Sequence, residues 1–318
     1  MDLIDKKILC ELDLNCRTPV SKIAKKLRIS RNVASYRIKN LEESGIITKY
    51  ICSVNLGLLG YKTYKIYFKL GGKKEAEKRF VDALIKNKQI IHFLKTEGSF
   101  DYSIVIAIKN IRELDDFLMN LKNNFKDLIK DYLISIIVYS KIFKLHKLLF
   151  GQKQGILKFE KYSGEDKQVT IDEKDIKILK ELSQAANLSI IELAKRTKLS
   201  IDVIKYRLKN LNQRLISSYR VMLNLNKLGY YHYVIMLRVR QATKQDEEKL
   251  ISWCSLKRNV IYCTKRIGYF DFEINVAIKN INELNQFLSE LKTEFGEMID
   301  SYDTIINSQL LKLDYAPF

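Results

Sequence analysis

Apolar residues in the first fifty positions recur with helical spacing. Ile4, Ile8, Leu9 and Leu12 make one stripe, with Asp2 or Asp5 placed to cap its start. Pro19 stands where a second helix would open, and Val20, Ile23, Ala24 and Leu27 form its inner face. Ser30 is a good N-cap for a third helix that buries Ala34, Ile38 and Leu41 and stops near Gly45. Residues 46–54 then alternate, as in a short hairpin. Beyond Gly60 the period changes. The pattern predicts a strand over 63–70, a helix over 73–87, strands over 90–96 and 100–108 joined by a turn at Gly98, a helix over 111–125 and a strand over 133–139. The order βαββαβ is the ferredoxin-like split motif.

This pattern is written twice. Gly98-Ser99-Phe100-Asp101-Tyr102, followed by Ala107-Ile108-Lys109-Asn110-Ile111, returns as Gly268-Tyr269-Phe270-Asp271-Phe272 and Ala277-Ile278-Lys279-Asn280-Ile281, at an offset of 170. The same offset brings Tyr36-Arg37-Ile38-Lys39-Asn40-Leu41 onto Tyr206-Arg207-Leu208-Lys209-Asn210-Leu211, while Leu59-Gly60-Tyr61 returns one residue out of step at Leu228-Gly229-Tyr230. A repeat of this length is a duplicated module. The expected fold class is α+β, with a three-helix unit and hairpin over 1–54, a βαββαβ unit over 55–150, a linker over 151–169, and the second copies over 170–224 and 225–318. The linker is glycine- and charge-rich, and its Ile156, Leu157 and Phe159 are apolar enough to pack.

Composition changes the picture in one respect. The chain of 318 residues has a formal net charge of +19 and a mean hydropathy of −0.17, so a polyanionic partner is expected, nucleic acid before membrane surface. A lysine-, isoleucine- and asparagine-rich chain also arises from AT-rich coding DNA. The apolar run at 133–139 is too short to span a bilayer and the first residues are polar, so a cytoplasmic protein without membrane association is expected. Five cysteines (Cys10, Cys16, Cys52, Cys254, Cys263) are odd in number and lack C-x-x-C spacing. They read as small apolar residues rather than disulfides or zinc ligands. No metal and no cofactor is expected.

Helix, helix, turn, helix and wing is the winged helix-turn-helix plan, whose last helix enters the major groove. Joined to a βαββαβ domain, the chain resembles the Lrp/AsnC (feast/famine) family of regulators over nearly its whole length, twice. Asp5 through Leu12 resembles the family's first helix, Asn15 through Thr18 its loop, and Ile23-Ala24 its second helix. Ser30, with Arg37 through Ile47, resembles the recognition helix and its exit, and Gly98 through Tyr102 the glycine turn of the RAM-type sensor domain. The resemblance implies a transcriptional regulator that binds double-stranded DNA. It also implies pairing through sensor domains, here as a pseudo-dimer within the chain with further homo-oligomers open, and a small effector such as an amino acid.

The expected readers of the first unit are Arg31, Asn32, Ser35, Tyr36 and Lys39, which lie off the buried stripe. Arg and Asn suit base edges, Lys and Ser suit phosphates. Arg37 lies at the helix flank, where a phosphate or an internal acid would hold it. In the second unit Lys205, Tyr206, Arg207 and Lys209 remain, but Ile201 and Asp202 replace Arg31 and Asn32, Asn187 replaces Arg17 and Leu215 replaces Gly45. The two readers therefore differ, and an asymmetric site is expected. For the effector, the resemblance points to Glu97, Gly98, Asp101, Gly268 and Asp271; a purely structural role for that turn is the alternative. Two other functions stay open. Siroheme decarboxylases share this two-domain architecture, also as fused pairs, and lean on histidine and tyrosine. Here His92, His146 and His232 are the three histidines, none placed alike in both copies, and each reads as packing. An architectural DNA-coating protein is the other.

Overall fold

A computed structural model describes residues 1–151, 156–161, 168–240 and 242–318, the segment 156–161 by its backbone alone. The first unit opens with α1 (Leu3–Leu14), α2 (Val20–Leu27) and α3 (Arg31–Glu43). Asp2 caps α1 in a reciprocal box with Asp5, and Ser30 Oγ accepts from Val33 N to start α3. Gly45, at φ +68°, takes the left-handed turn that ends α3. Then come β1 (Ile47–Val54), β2 (Lys62–Leu70), α4 (Lys74–Lys86), β3 (Ile90–Glu97), β4 (Tyr102–Ile108), α5 (Ile111–Phe125) and β5 (Ile129–Phe143). A short helix, α6 (Leu145–Phe150), and β6 (Ile156–Lys161) bridge to the second unit. The packing expected of Ile156, Leu157 and Phe159 side chains lies outside the described residues.

The second unit repeats the order: α7 (Glu173–Gln184), α8 (Ile190–Thr197), α9 (Ile201–Arg214), β7 (Ile216–Leu223), β8 (Tyr231–Val239), α10 (Lys244–Leu256), β9 (Val260–Gly268), β10 (Phe272–Ile278), α11 (Ile281–Phe295) and β11 (Ile299–Leu313). Leu215, in place of the turn glycine, is 3% exposed and runs α9 directly into β7.

Each unit has a winged helix-turn-helix domain followed by a ferredoxin-like sheet, in orders β3-β4-β2-β5 and β9-β10-β8-β11. The sheets do not stand alone. Strand β5 pairs with β2 along one part and β9 along the next, and β11 does the same with β8 and β3. Eight strands thereby close into one ring, with β6 added alongside β5. Closure explains why β5 and β11 run fifteen residues, beyond the expected 133–139: each must pair with its own sheet and then with the other. The two βαββαβ domains thus pair within the chain.

The wing departs from expectation. Residues 47–54 form no hairpin of their own; β1 pairs antiparallel with β7 of the other unit, Tyr50 facing Val221 and Cys52 facing Tyr219. An alternating strand carries no label of its partner, and the free edge nearest to β1 belongs to the other copy. Backbone bonds from Cys16 N to Tyr219 O and from Ala186 N to Tyr50 O fasten the same junction from both sides.

Apolar cores lie between each sheet and its helix pair, around Phe68, Phe80 and Phe117 in the first and Phe272, Leu250 and Phe287 in the second. All five cysteines are buried and none is in a disulfide. Among the described residues no helix is long and apolar enough to cross a membrane.

Candidate DNA-reading surface and barrel cavity

On α3, Arg31, Asn32, Ser35, Tyr36 and Lys39 are all exposed, while Ala34 and Leu41 are buried beneath them. On α9, Lys205, Tyr206 and Lys209 are exposed over Ile204, Leu208 and Leu211. Tyr36 and Tyr206 stand out at 66% and 65% exposure, unusual for aromatic rings without a partner surface. Lys205 sits 3.5 Å from Asp202, which offsets part of its charge.

Arg37 faces inward. Its guanidinium donates to Asp2 at 2.6 Å and Asp5 at 2.9 Å, so of the two partners expected an internal acid holds it. Arg207 repeats this with Asp172 and Asp175 at 2.6 and 3.1 Å. Hydrogen bonds to Asp5 and Asp2 hold the Arg37 pKa above its ordinary value. Both arginines therefore tie a reading helix to the start of its own domain's first helix.

The two helix-turn-helix domains are also tied to each other by side chains. The Asp13 carboxylate on α1 accepts from Arg220 Nε and Nη2 on β7 at 2.9 and 2.7 Å, and from Leu145 N at 3.0 Å. Arg17 Nη1 donates 2.7 Å to Ala186 O.

The glycine turns meet the other unit's long strand. Gly98 (φ +121°) lies against Thr304 O and Gly268 (φ +151°) against Ile134 O; a Cβ would sit 3.1 and 2.8 Å from those oxygens. The Asp101 carboxylate accepts from Leu70 N at 2.7 Å and that of Asp271 from Val239 N at 2.8 Å, each anchoring the end of a neighbouring strand.

The ring interior is divided. One half is plugged by Tyr67, Phe100, Val234, Met236, Phe270 and Ile305. The other opens into a cavity of about 900 Å³ that runs to the β1–β7 ribbon, lined by Lys65, His92, His232, Arg266, Glu273 and Asn307 among others. Arg266 and Tyr67 both donate to Glu273, Asn275 Nδ2 donates to it at 2.9 Å, and His232 Nε2 lies 2.9 Å from Asn275 Oδ1.

Burial dominates the titration of these groups. It pulls His92 down to about 3 and His232 to about 4. The Lys65 ammonium is pulled down to about 8, with Glu273 opposing the shift. Burial works against the Glu273 charge, yet Arg266, Lys65 and the hydrogen-bond donors outweigh it and leave its pKa at about 2.

The two histidines that read separately as packing thus share one cavity; His146 instead stacks on Phe150. No histidine spacing reveals this, because the residues come from six strands. One signal was available. At matched register, Lys65 pairs with Ser135 where Val234 pairs with Ile305, and Glu273 pairs with Thr264 where Ser103 pairs with Leu94. Likewise Arg266 stands for Thr96, His232 for Thr63 and Asn275 for Val105. Buried strand positions that change from small or apolar to charged between copies mark a site confined to one side.

A winged helix-turn-helix DNA-binding family model matches residues 1–48 and again 171–214. The HTH-type transcriptional regulator FL11 of Pyrococcus furiosus is 34% identical over 119 residues, 37% of this chain and 78% of the relative. Regulator Ptr1 of Methanocaldococcus jannaschii is 32% identical over 121 residues, 37% of this chain and 79% of the relative. Among solved structures, the siroheme decarboxylase NirDL shares the fold at a TM-score of 0.64 and 17% identity, across 98% of this chain and 93% of that one. The ring and ribbon described above are therefore built by a member of the Lrp/AsnC family of winged helix-turn-helix proteins.

Proposed function

We propose that this chain is a DNA-binding transcriptional regulator in which a tandem duplication supplies both members of a reading pair. The observation that carries this is the pair of exposed polar-aromatic faces on α3 and α9, held at fixed separation by the β1–β7 ribbon. Arg31 and Asn32 are assigned to base edges, with Ser35, Tyr36 and Lys39 beside them. On the second helix Lys205, Tyr206 and Lys209 keep phosphate contacts, and Arg37 and Arg207 position their helices. Because Asp202 stands where Asn32 does, the preferred duplex is asymmetric. Selection from a randomised duplex pool at near-physiological salt tests this. The expected result is an enriched motif whose half-sites differ, with Arg31→Ala weakening binding by about tenfold. Retention without enrichment would instead indicate a DNA-coating role, and a perfectly two-fold motif would remove the distinction between readers.

A second reading is favoured by the cavity. NirDL, whose fold extends over the whole chain, is named as a siroheme decarboxylase, and here two histidines, Lys65 and Arg266 line one internal space. On that reading a tetrapyrrole is the substrate. Titrating the full chain with siroheme separates the two: a shifted absorbance spectrum with mass loss in the ligand supports catalysis, and an unchanged spectrum excludes it.

A further inference from the structure

The two long strands of the ring are not finished alike. Ser135 on β5 pairs with Lys65 of β2 on one edge and with Gly268 of β9 on the other. Past it, residues 139–142 keep β9, and β6 takes the edge that β2 has left. On β11, Ile306 pairs with Tyr233 of β8 on one edge and with Glu97 of β3 on the other. Past it, residues 309–313 keep β3, and among the described residues no strand takes the edge that β8 has left. Asp314 N donates to Ile91 O of β3, so the Leu313 carbonyl of the same peptide unit points to the bare edge. There it accepts from a side chain, Lys49 Nζ of β1.

The same difference extends over the adjoining surface. In the first unit Val169 N donates to Leu58 O at 2.7 Å, and a Cβ on Gly60 would meet Gln168 Nε2 at 3.2 Å. Residues 168 and 169, which follow β6 in the chain, thus lie along that unit. At the matching Gly229 a Cβ would meet nothing within 4 Å, and Tyr231, two residues on, is 54% exposed. Open space also borders Gln309, Leu310 and Leu311, shared with Leu223 and Leu225.

We propose that the bare edge of β11 docks an extended, apolar and acidic segment of a partner protein, which adds to 309–313 as β6 adds to 139–143. A second copy of this chain is a poor occupant. Each chain has one β6 for two edges, so exchange would move the vacancy without filling it. The chemistry follows from the flanks. Lys49 and Lys312 stand together there against Asp314, beside Leu310, Leu311 and Leu313. Alternating apolar and acidic side chains match such an edge. A lysine on a free edge also guards it against unwanted pairing. An acidic strand can displace that guard, because its carboxylate gives Lys49 a new acceptor once the Leu313 carbonyl pairs with backbone. The site lies apart from the reading helices, so the proposal is independent of both functions above.

The probe is a short peptide alternating valine and glutamate, titrated into the full chain, with its lysine counterpart as control. Hydrogen exchange read by mass spectrometry should slow over 309–313 and stay unchanged over 139–143, where β6 already pairs. The lysine peptide should bind about tenfold more weakly, and Lys49→Met combined with Lys312→Met should remove most of that preference. Two N-methylated forms of the glutamate peptide, each blocking one alternate set of amides, keep its charge. One form should bind as the parent does and the other should fail, because only one edge of an added strand bonds to β11. Equal binding of both forms would mark attraction to the basic surface alone and overturn the proposal. So would absence of binding, or protection confined to the reading helices. A peptide-free dimer with 309–313 protected, seen by sedimentation, would give the edge to a second copy and overturn it equally.

Discussion

Asp13 shows how one residue joins three parts of the molecule. Its carboxylate takes Arg220 from the other unit and the first amide of α6. Asp13→Ala should cost roughly 3–5 kcal/mol, because it leaves a buried guanidinium without its counter-charge; adding Arg220→Met should recover much of that, read by urea melts. The cavity histidines set a pH dependence of stability. Their folded pKa values, about 3 and 4, lie below the ordinary 6.5 of an exposed imidazole. The unfolded chain therefore takes up protons first. Stability should be full above about pH 6.5 and drain as pH falls toward 4, by at most about 1.4 kcal/mol per pH unit for each histidine. His92→Gln and His232→Gln should flatten that slope. Glu273, with a folded pKa of about 2, adds its own loss only below the unfolded carboxylate value of about 4.3. At this scale caps such as Ser30 could be read from the chain, because a cap's partner lies three residues away. The cavity could not, because its members meet only after the strands pair.

At the scale of elements, the long strands β5 and β11 carry the closure of the ring, and the glycine turns are fitted to them. Gly268→Ala would force a methyl to within 2.8 Å of Ile134 O at a φ of +151°, and should cost roughly 2–3 kcal/mol. Gly98→Ala, where the approach is 3.1 Å, should cost less; thermal melts of the two variants give the order. Periodicity placed the helices other than α6 and the strands other than β6, and 111–125 agrees with α5 to the residue. It failed at 47–54 for a physical reason. Alternation reports which faces of a strand are wet and dry, not whose backbone completes its hydrogen bonds.

At the scale of the whole molecule, each sheet's edges are completed by the other unit's strands, so the two units are expected to fold as one body. Fragments 1–151 and 168–318 should therefore combine one to one on mixing, as read by native mass spectrometry. Self-pairing of the first fragment would bury two Lys65 side chains with no carboxylate, because it brings Ser103 where the second unit brings Glu273. Recovery of stable homodimers in preference to the mixed pair would refute this view of the junction. The repeat was legible from motifs alone, whereas pairing of the two units was only an implication of the family resemblance. The division of the interior into a plugged half and an open half was not legible, because it depends on where the copies disagree.

The pairing of β1 with β7 has a further consequence. In a protein assembled from two identical chains, every substitution near the symmetry axis is made twice, and a new charge there confronts its own image. Fusion removes that constraint. Each inward position can change singly, so a lysine can arise opposite a glutamate and an arginine beside a histidine, with nothing mirrored across the ring. It also gives the molecule a head and a tail. A homodimer sits on its target identically in either direction, whereas a body whose first and second readers differ has one preferred orientation along a duplex.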